Sequence, residues 1–546
     1  MMANLKNQLN FLKGEVLEDE ATLKFYSRDA SLFEIKPQIV VFPKDVDDIK
    51  NLVVFVNKNL DQKIHLTPRS AGSDMTGGPL GESIVVEFTK YFNHIKKIGD
   101  NYALTEPGVF YRDFEKETLK HNLLLPSYPA SREICAVGGM AANNAGGEKT
   151  LAYGKTEKYI EELKVVLSDG NEYQFSPLTK SELEEKIKLQ NFEGEIYRKI
   201  YKLAEDNYDA IKKAKPEVSK NSAGYLLWDV WDRNIFDLTK LFVGSQGTLG
   251  IITEIKFKLV KPKTHSKLLV IFLKDIKPLA EIVSKVLKHR PESFESYDDN
   301  TLKLVIRFLP EFVELLRAKN IFSLAWQFLP EFWTILTSGF PKLILLAEFT
   351  GDSIAEVDEK IEAAKTDLQS LKIKMRATRN EKEARKYWVM RRESFNLLRH
   401  HIRGLRTAPF IDDFVVKPEK LPEFLPKLNQ ILSEYSLIYT VAGHVGDGNF
   451  HIIPLMNLAD PKSRKIIPEL SEKVYRLVLD FGGSITAEHN DGLIRGSYLK
   501  AMYGDKIYKL FKEVKNIFDP NNIFNPGKKV DANMEYALSH LDVGSK

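Results

Sequence analysis

Three short stretches of glycine, alanine and hydroxyl residues constrain the fold of this chain more than any other feature. They are Pro68–Gly81, Ala136–Gly147 and Gly244–Gly250, and strand-like segments stand close to each of them. Glycine lets the backbone pass close to a ligand because no Cβ atom stands in the way. Three such stretches within one region predict a main chain wrapped closely around a large ligand.

The common nucleotide-binding motifs do not account for these stretches. No G-x-G-x-x-G follows a strand, so the Rossmann fingerprint is missing. Gly154-Lys155-Thr156 ends like a P-loop, but Lys149 replaces its leading glycine. The loop Pro68–Gly81 still offers closely spaced backbone N–H groups and hydroxyls, which suit a pyrophosphate. An ordinary glycine-rich turn stays open as the alternative.

Composition limits the class of protein and its partners. The 546 residues allow about two to four folded units. Since 43% of them are hydrophobic and 28% are charged, the chain can bury a core. The formal net charge of +4 is too small to argue for nucleic acid or an anionic membrane as the main partner, and no nucleic acid is expected. With one cysteine, Cys135, the chain alone forms no disulfide, Cys₄ zinc site or iron–sulfur cluster. We expect Cys135 to be a small buried hydrophobe.

The first half of the chain alternates between strand and helix patterns. Gln38–Phe42 and Ser83–Phe88 are predicted strands, and Asp45–Asn59 is a predicted amphipathic helix between them. Lys180–Lys213 is charged and helical in period. Lys261–His265 has the composition of a linker, and strand signals restart directly after it. We therefore place a domain boundary at this linker.

The most apolar region of the chain lies at about residues 302–342. It contains a repeat, Arg307–Phe312 and Gln327–Phe332, in which each copy is predicted to begin a short helix with proline in its first turn. Charges and prolines interrupt every apolar run before about 18 residues, so no membrane span is predicted. The helices either pack on the core or form an apolar platform for a membrane surface or a partner protein. Residues 1–20 lack the pattern of a secretory signal, so we expect a cytoplasmic protein, with peripheral contact to the inner membrane face left open.

Two histidines flank a glycine-rich turn near the end of the chain. His444 and His451 would face opposite sides of an extended strand, but Gly446-Asp447-Gly448 can fold them toward one centre. Glu488 follows later and can add a carboxylate. Two imidazoles and a carboxylate with open positions predict a divalent-metal site that polarises a bound hydroxyl or carboxylate oxygen.

Eight motifs in this order resemble one family. They are Pro68–Gly78, Glu106–Gly108, Pro129–Ser131, Gly138–Gly147, Gly244–Ile251, His444–His451, Glu488-His489 and Asn525–Gly527. The chain resembles the FAD-linked oxidoreductases of the vanillyl-alcohol oxidase/p-cresol methylhydroxylase (PCMH) superfamily over about residues 36–528. The branch is that of D-lactate dehydrogenases, D-2-hydroxyglutarate dehydrogenases and the glycolate oxidase flavoprotein subunit.

The resemblance implies an α+β fold in three parts. Residues 1–262 are expected to form a two-subdomain PCMH-type FAD-binding domain. Residues 263–485 are expected to form an α+β substrate cap with an antiparallel sheet, which includes the apolar insert at about 302–342. Residues 486–546 are expected to carry Glu488 and His489 and to return to the FAD domain.

The resemblance also implies the site residues. His444, His451 and Glu488 are expected to bind a divalent metal, zinc being the expected ion, and His489 to act as the general base. Arg391, in Trp388-Val-Met-Arg391, is expected to bind the substrate carboxylate, as a planar guanidinium can with two hydrogen bonds; without the family it would be taken for a surface ion pair. Non-covalent FAD is expected at Pro68, Arg69, Ser70, Ala71, Gly72, Ser73, Asp74, Thr76, Gly77, Gly78, Pro107, Gly108, Pro129, Ala130, Ser131, Gly138, Gly139, Ala142, Asn143, Asn144, Gly146, Gly147, Gly247, Gly250, Ile251 and Asn525.

Two positions depart from the family pattern. Gln246 stands where glutamate is usual, and Asn490-Asp491 follow His489 where glycine is common. Both departures affect the details of the pocket. The FAD loop contains no histidine or cysteine, so no covalent flavin link is expected there.

The implied activity is oxidation of a D-2-hydroxy acid to the 2-oxo acid by hydride transfer to flavin N5. D-lactate is the first expected substrate, with glycolate and D-2-hydroxyglutarate as alternatives. A separate acceptor, whether quinone, cytochrome, electron-transfer flavoprotein or iron–sulfur subunit, is expected to take the electrons. A non-redox transferase like alkyl-glycerone-phosphate synthase, a non-catalytic flavoprotein subunit of an oxidase complex and a scaffold stay open as other functions. The sequence does not specify the acid, the acceptor, the metal or the oligomeric state.

Overall fold

The computed structural model describes residues 5–299, 301, 303, 339–401 and 404–544. The predicted apolar insert lies almost entirely outside these residues. The strands are β1 (Glu15–Leu17), β2 (Ile39–Phe42), β3 (Leu66–Arg69), β4 (Ile84–Glu87), β5 (Ile95–Ile98), β6 (Tyr102–Thr105), β7 (Ile160–Val166), β8 (Glu172–Phe175), β9 (Leu178–Thr179), β10 (Ile235–Phe236), β11 (Ile251–Lys258), β12 (His265–Leu273), β13 (Ser293–Asp298), β14 (Leu343–Gly351), β15 (Lys374–Ala377), β16 (Arg406–Thr407), β17 (Phe414–Val415), β18 (Val441–His444), β19 (Asn449–Ile452) and β20 (Leu455–Met456).

The α-helices alternate with these strands. They are α1 (Leu5–Gln8), α2 (Glu20–Tyr26), α3 (Val46–Lys58), α4 (Tyr111–Leu119), α5 (Val137–Asn143), α6 (Thr150–Tyr153), α7 (Lys180–Lys188), α8 (Phe192–Asp206), α9 (Tyr208–Lys213), α10 (Thr239–Phe242), α11 (Leu279–Lys288), α12 (Ile354–Leu368), α13 (Glu381–His401), α14 (Leu421–Ser433), α15 (Pro461–Asp480), α16 (Gly492–Arg495), α17 (Leu499–Phe518) and α18 (Met534–Ser539). Short 3-10 turns lie at Leu60–Gln62, Thr156–Lys158, Leu227–Asp229, Gln369–Leu371, Pro418–Lys420 and Gly496–Tyr498.

The first sheet along the chain has four strands, in the order β1-β2-β4-β3. Strands β2, β3 and β4 are parallel, and α3 provides the crossover. Asp45 caps α3 by accepting the amide N–H of Asp48. The predicted strand–helix–strand unit is therefore confirmed, with ends shifted by about a residue. The last two residues of β3, Pro68 and Arg69, also begin the stretch Pro68–Gly81. The stretch therefore continues from the carboxyl end of a parallel strand.

A five-stranded antiparallel sheet follows, in the order β5-β6-β11-β7-β8. Strand β11 begins directly after Gly244–Gly250. Residues of β7, β11, α8 and α17 share one large core. Phe511 and Phe518 of α17 are fully buried in this core, so the end of the chain packs on the N-terminal region. Asn525 and Ile523 also pair with the backbone of Leu66 in β3.

The seven-stranded sheet has the order β15-β12-β14-β13-β18-β19-β17, and each pairing is antiparallel. Helices α11, α12 and α14 cover one face, and α13 covers part of the other through Tyr387 and Met390. This antiparallel sheet, beside the region of mixed sheets and helices before it, confirms the predicted α+β class. It also places β13 next to the hairpin β18–β19, which carries both predicted metal-binding histidines.

No helix within the described parts of the chain is both long and apolar enough to cross a bilayer.

Candidate active site

A cavity of about 350 Å³ lies between the glycine-rich stretches and the seven-stranded sheet. Most of the predicted flavin-binding residues line it: Pro68, Arg69, Ser70, Ala71, Gly72, Ser73, Asp74, Gly78, Pro107, Pro129, Ala130, Ser131, Gly138, Gly139, Ala142, Asn143, Gly146, Gly247 and Gly250. The opposite wall contains Arg391, His444, His451, Glu488 and His489. The two predicted sets of site residues thus face one space.

Seven other predicted residues lie behind this wall. Thr76 donates its hydroxyl to Asp74, Asn144 accepts the amide of Glu157, and Ile251 is buried in the core. Asn525 donates to the backbone carbonyls of Gly78 and Gln246. The remaining three, Gly77, Gly108 and Gly147, are packed so closely that a Cβ atom would meet a neighbour within 3 Å. Asn525 thereby joins the first stretch to the third.

Several lining residues were not predicted. They are Met75, Pro79, Phe88, Cys135, Ala136, Met140, Ala145, Gln246, Ile252, Arg392, Thr440, Ala442 and Ile453. Most are next to a predicted residue, so adjacency was the available signal. Burial raises the pKa of Cys135 to about 12, so this thiol stays protonated at neutral pH and packs as a small side chain.

The glycines of the first wall serve two purposes. Gly247 has φ +69°, and a Cβ atom there would lie 2.3 Å from Cγ of Pro68, so it allows two stretches to meet. Gly139 is different, because a Cβ atom there would meet no atom of the described residues within 4 Å. Since Gly139 lines the cavity, a side chain would occupy the cavity itself. The wall therefore fits a ligand that contacts backbone, as the predicted FAD would.

The second wall is built around one carboxylate oxygen, Oε1 of Glu488. The Nε2 atoms of His444, His451 and His489 lie 3.2, 3.5 and 3.9 Å from it. The predicted turn brings the first two together, since His444 and His451 lie on the paired strands β18 and β19. Three imidazole nitrogens and a carboxylate within this distance form a donor set that suits a divalent cation such as zinc.

The other nitrogen of each imidazole faces a buried carboxylate that sequence reasoning missed. His444 Nδ1 lies 2.5 Å from Glu295, while Nδ1 of His451 and of His489 lie 3.0 and 2.7 Å from the two oxygens of Asp412. Such outer carboxylates fix the tautomer and orientation of metal-binding histidines. Each Nδ1 thereby lies beside a carboxylate oxygen behind the ring, and the three Nε2 atoms converge on Glu488.

Glu488 itself is held from behind. Its Oε2 lies 3.2 Å from the Nζ atom of Lys220, which also contacts Asp447 at 3.2 Å. The adjacent Asp413 accepts the amide N–H groups of Ala487, Glu488 and His489 on one oxygen. Asp413, His451, Glu488 and His489 also place ligand atoms within 4.8 Å of one another. Because Asp413 already accepts these amides, its role is to hold the backbone that carries Glu488 and His489.

The charges of this wall compensate one another. Burial alone would raise the pKa of Glu488, but Lys220 and His444 lower it well below its usual range. Burial alone would lower the pKa of His451, but Asp412 and Glu488 raise it to about 10. A cation that bound here would displace protons from the imidazoles, so its binding would release protons.

Arg391 stands beside this cluster on α13. Its Nη2 atom lies 3.2 Å from Oε2 of Glu295, and its buried Nε atom has no hydrogen-bond partner among the described residues. Arg391 therefore has N–H donors left for a carboxylate in the cavity. The neighbouring Arg392 is already paired, since its Nη2 lies 2.6 Å from both oxygens of Glu148.

The two departures from the family pattern have structural roles. Gln246 accepts the amide of Gly492 and donates to the hydroxyl of Thr76. Asn490 donates to the carbonyls of Asn143 and Gly244. These side chains tie the segment that carries Glu488 and His489 to the glycine-rich stretches. Asp491 forms a fully buried ion pair with Lys529 at 2.7 Å, so all three polar side chains have partners.

Comparison with protein-family models agrees with both walls. Residues 37–176 match an FAD binding domain, and residues 262–529 match the C-terminal domain of FAD linked oxidases. The chain belongs to the FAD-linked oxidases. The predicted resemblance is confirmed by these matches, which together include both glycine-rich stretches before residue 176 and the whole histidine cluster.

Individual relatives of this FAD-linked oxidase differ in length. A D-2-hydroxyglutarate dehydrogenase of Pseudomonas putida is 27% identical over 94% of the chain, but the chain spans only 50% of that protein. The glycolate oxidase subunit GlcD of Bacillus subtilis is 28% identical, over 92% of the chain and 91% of GlcD. The 4-ethylphenol oxidase of Gulosibacter chungangensis has the same fold, with a TM-score of 0.66 and 17% identity over 95% of each chain.

Proposed function

We propose that this FAD-linked oxidase is a dehydrogenase that oxidises a D-2-hydroxy acid to the 2-oxo acid. One observation carries the proposal: a single cavity has the glycine-rich stretches on one side and Arg391, His489 and the imidazole–carboxylate cluster on the other. A substrate between them would have its carboxylate and its hydroxyl next to different protein groups. The relatives named D-2-hydroxyglutarate dehydrogenase, D-lactate dehydrogenase and glycolate oxidase subunit support the same class of substrate.

Three side chains divide the chemistry in this proposal. Arg391 binds the substrate carboxylate through its free N–H donors, which orients the Cα atom toward the flavin wall. His489 accepts the hydroxyl proton at Nε2, because its Nδ1 faces Asp412. When bound by the cavity, FAD supplies the oxidant, and a divalent metal at His444, His451 and Glu488, with zinc as the proposed ion, supplies the positive charge that polarises the hydroxyl.

The acid and the electron acceptor are the finer parts of the proposal. D-lactate, glycolate and D-2-hydroxyglutarate all carry the carboxylate and hydroxyl that this wall can bind. The electrons would then leave to a quinone, a cytochrome, an electron-transfer flavoprotein or an iron–sulfur protein. Because the chain spans half of its Pseudomonas putida relative, the acceptor is proposed only by this chemical class.

The test is flavin reduction without oxygen. The protein is saturated with FAD and zinc and mixed anaerobically with D- and L-lactate, glycolate, and D- and L-2-hydroxyglutarate. We expect at least one of the D-acids or glycolate to bleach the flavin absorbance, and the L-acids to leave it unchanged. Bleaching by none of the acids would contradict the proposal and favour a transferase or a non-catalytic subunit.

The histidine base has its own control in the same experiment. His489→Ala removes the proton acceptor but none of the three proposed metal ligands. We expect it to keep FAD and zinc and to reduce its flavin about 10²–10⁴-fold more slowly. A wild-type rate of reduction in this variant would show that another group accepts the proton.

A further inference from the structure

The buried carboxylate of Asp412 contacts two histidines that have different roles in the proposed function. Asp412 is fully buried. Its Oδ1 lies 3.0 Å from Nδ1 of His451, a proposed metal ligand, and its Oδ2 lies 2.7 Å from Nδ1 of His489, the proposed base. The two imidazole rings are stacked with their centres 5.0 Å apart. One side chain thus places one oxygen beside each of the two rings.

The backbone around Asp412 explains why this side chain can do so. The next residue, Asp413, has φ +67°, so the chain turns sharply and the two adjacent carboxylates face different targets. Asp413 accepts the amide N–H groups of residues 487–489, while Asp412 faces the imidazoles. The buried guanidinium of Arg495 donates to the carbonyl oxygen of Asp412 at 2.6 Å. The backbone of Asp412 is therefore held independently of the two rings.

The third histidine makes a useful contrast. Nδ1 of His444 faces Glu295, whose second oxygen lies 3.2 Å from Nη2 of Arg391. Glu295 therefore joins a metal ligand to the substrate-binding arginine, whereas Asp412 joins a metal ligand to the base. Neither carboxylate contacts the substrate side of the cavity, since both lie behind the rings that do.

We propose that Asp412 is a positioning residue that sets the metal ligand His451 and the base His489 at a fixed separation. This proposal rests on the proposed function for the role of His489. An outer carboxylate of this kind strengthens metal binding by about 10–100-fold. Asp412 should add a second effect that Glu295 does not, because it also orients the ring of His489, the proposed base, at the edge of the cavity.

Asp412→Asn is the first variant, because the amide has nearly the same shape and removes the charge. Zinc affinity is measured by competition with a chelator, and flavin reduction is measured anaerobically at saturating zinc. We expect zinc binding to weaken by about 10–100-fold. At saturating zinc we expect the limiting rate of flavin reduction to fall by about 10²-fold or more, since the base is misdirected.

The combination with His489→Ala separates positioning from a general loss of structure. If Asp412 affects the rate through His489, adding Asp412→Asn to His489→Ala should lower the rate by less than about 3-fold further. The double variant should nevertheless bind zinc as weakly as Asp412→Asn alone. Asp412→Glu keeps the charge but displaces both rings. It should therefore reduce the zinc affinity and the rate of flavin reduction together, each by less than Asp412→Asn does. It replaces Asp412→Asn if that variant does not fold.

Two controls complete the experiment. Asp237→Asn removes another buried carboxylate, one that accepts the hydroxyl of Thr239 and does not line the cavity, and should leave zinc affinity and rate unchanged. Glu295→Gln should weaken zinc and raise the substrate concentration needed for half-maximal reduction, because Arg391 loses its partner. A smaller loss of limiting rate than in Asp412→Asn is expected.

Either of two results would overturn the proposal. One is a zinc affinity within about 3-fold of wild type in Asp412→Asn, and the other is a rate loss that multiplies fully with that of His489→Ala. If none of the acids reduces the flavin of the wild-type protein, the proposed function is wrong. The role of His489 as a base, on which the positioning role of Asp412 rests, then fails with it. Unchanged zinc affinity in a variant of an active wild type would overturn the positioning role alone.

Discussion

The two walls of the cavity are built in opposite ways. The flavin wall consists mostly of backbone and small residues, from the three glycine-rich stretches and from Pro107 and Pro129–Ser131, so an added side chain would occupy the cavity. The opposite wall consists of long polar side chains from separate elements, such as Arg391 on α13 and His451 on β19. Behind them lie Glu295 on β13 and Asp412 before β17, so that buried charges of opposite sign face one another. One wall should therefore be sensitive to added atoms and the other to removed charges.

The largest expected effect is the loss of FAD from a crowded flavin wall. In Gly247→Val the side chain would collide with Pro68 at 2.3 Å and would also be strained at φ +69°. We expect purified protein without flavin absorbance that still binds zinc with near wild-type affinity. Gly482→Val is the matched control, because Gly482 has φ +70° but an added Cβ atom meets no atom of the described residues within 4 Å.

This pair separates crowding from backbone strain. Flavin content in Gly482→Val should equal that of wild type, although the variant loses some stability from its left-handed backbone. Full flavin occupancy in Gly247→Val would mean that this wall tolerates added atoms, and the contrast between the walls would fail.

The next effect is the removal of one charge from the other wall. Lys220→Met leaves the buried carboxylates of Asp447 and Glu488 without their ammonium partner. Breaking a buried ion pair in this way costs about 3–5 kcal/mol. Urea unfolding of the metal-free protein should therefore give a correspondingly lower free energy of unfolding.

The control for this variant is an exposed lysine. Lys13 pairs with Asp45 at 2.7 Å, and its side chain is 53% exposed. Lys13→Met should change the free energy of unfolding by less than about 1 kcal/mol. Equal losses of unfolding free energy in Lys220→Met and Lys13→Met would indicate that a buried ion pair stabilises this wall no more than an exposed one stabilises the surface.

The smallest effect concerns Glu348, a carboxyl outside the cluster that forms no ion pair within the part of the chain that the structure describes. Burial and the neighbouring Glu292 raise the pKa of Glu348 to about 7. The pKa of Glu348 is higher in the folded protein than in the unfolded chain, so protonation of Glu348 favours the folded state. This contribution to the free energy of unfolding is complete at low pH, below the unfolded pKa, and is lost as the pH rises through 7. Glu348→Gln mimics the protonated form, so it should be more stable than wild type at pH 8 by up to about 3 kcal/mol.

The measurement is chemical unfolding of both proteins at pH 5 and pH 8. The advantage of Glu348→Gln should be largest at pH 8 and small at pH 5. A constant difference at both pH values would show that Glu348 titrates normally and that buried charge outside the histidine cluster is also compensated.

The predictable part of this molecule is the part with local signals. The helix at Val46–Lys58 follows from its periodicity and its cap at Asp45, and the hairpin of His444 and His451 follows from the glycines between them. Glu295 and Asp412 carried no such signal, because the histidines that they contact are far from them in the chain. Glu295 is 149 residues from the histidine it contacts, and Lys220 is 268 residues from Glu488.

The amino-acid sequence by itself determined the glycine-rich wall and the approach of His444 to His451, because these depend on residue type over short distances. The α+β class and the place of His489 followed from the resemblance of eight ordered motifs to one family. Only the tertiary structure decided that the three Nε2 atoms meet at one oxygen of Glu488, and which carboxylate stands behind each ring. The physical reason is that a buried charge needs a partner in space, and the folded sheet brings that partner from any point of the chain. The role of Asp412 arises entirely from this second kind of information.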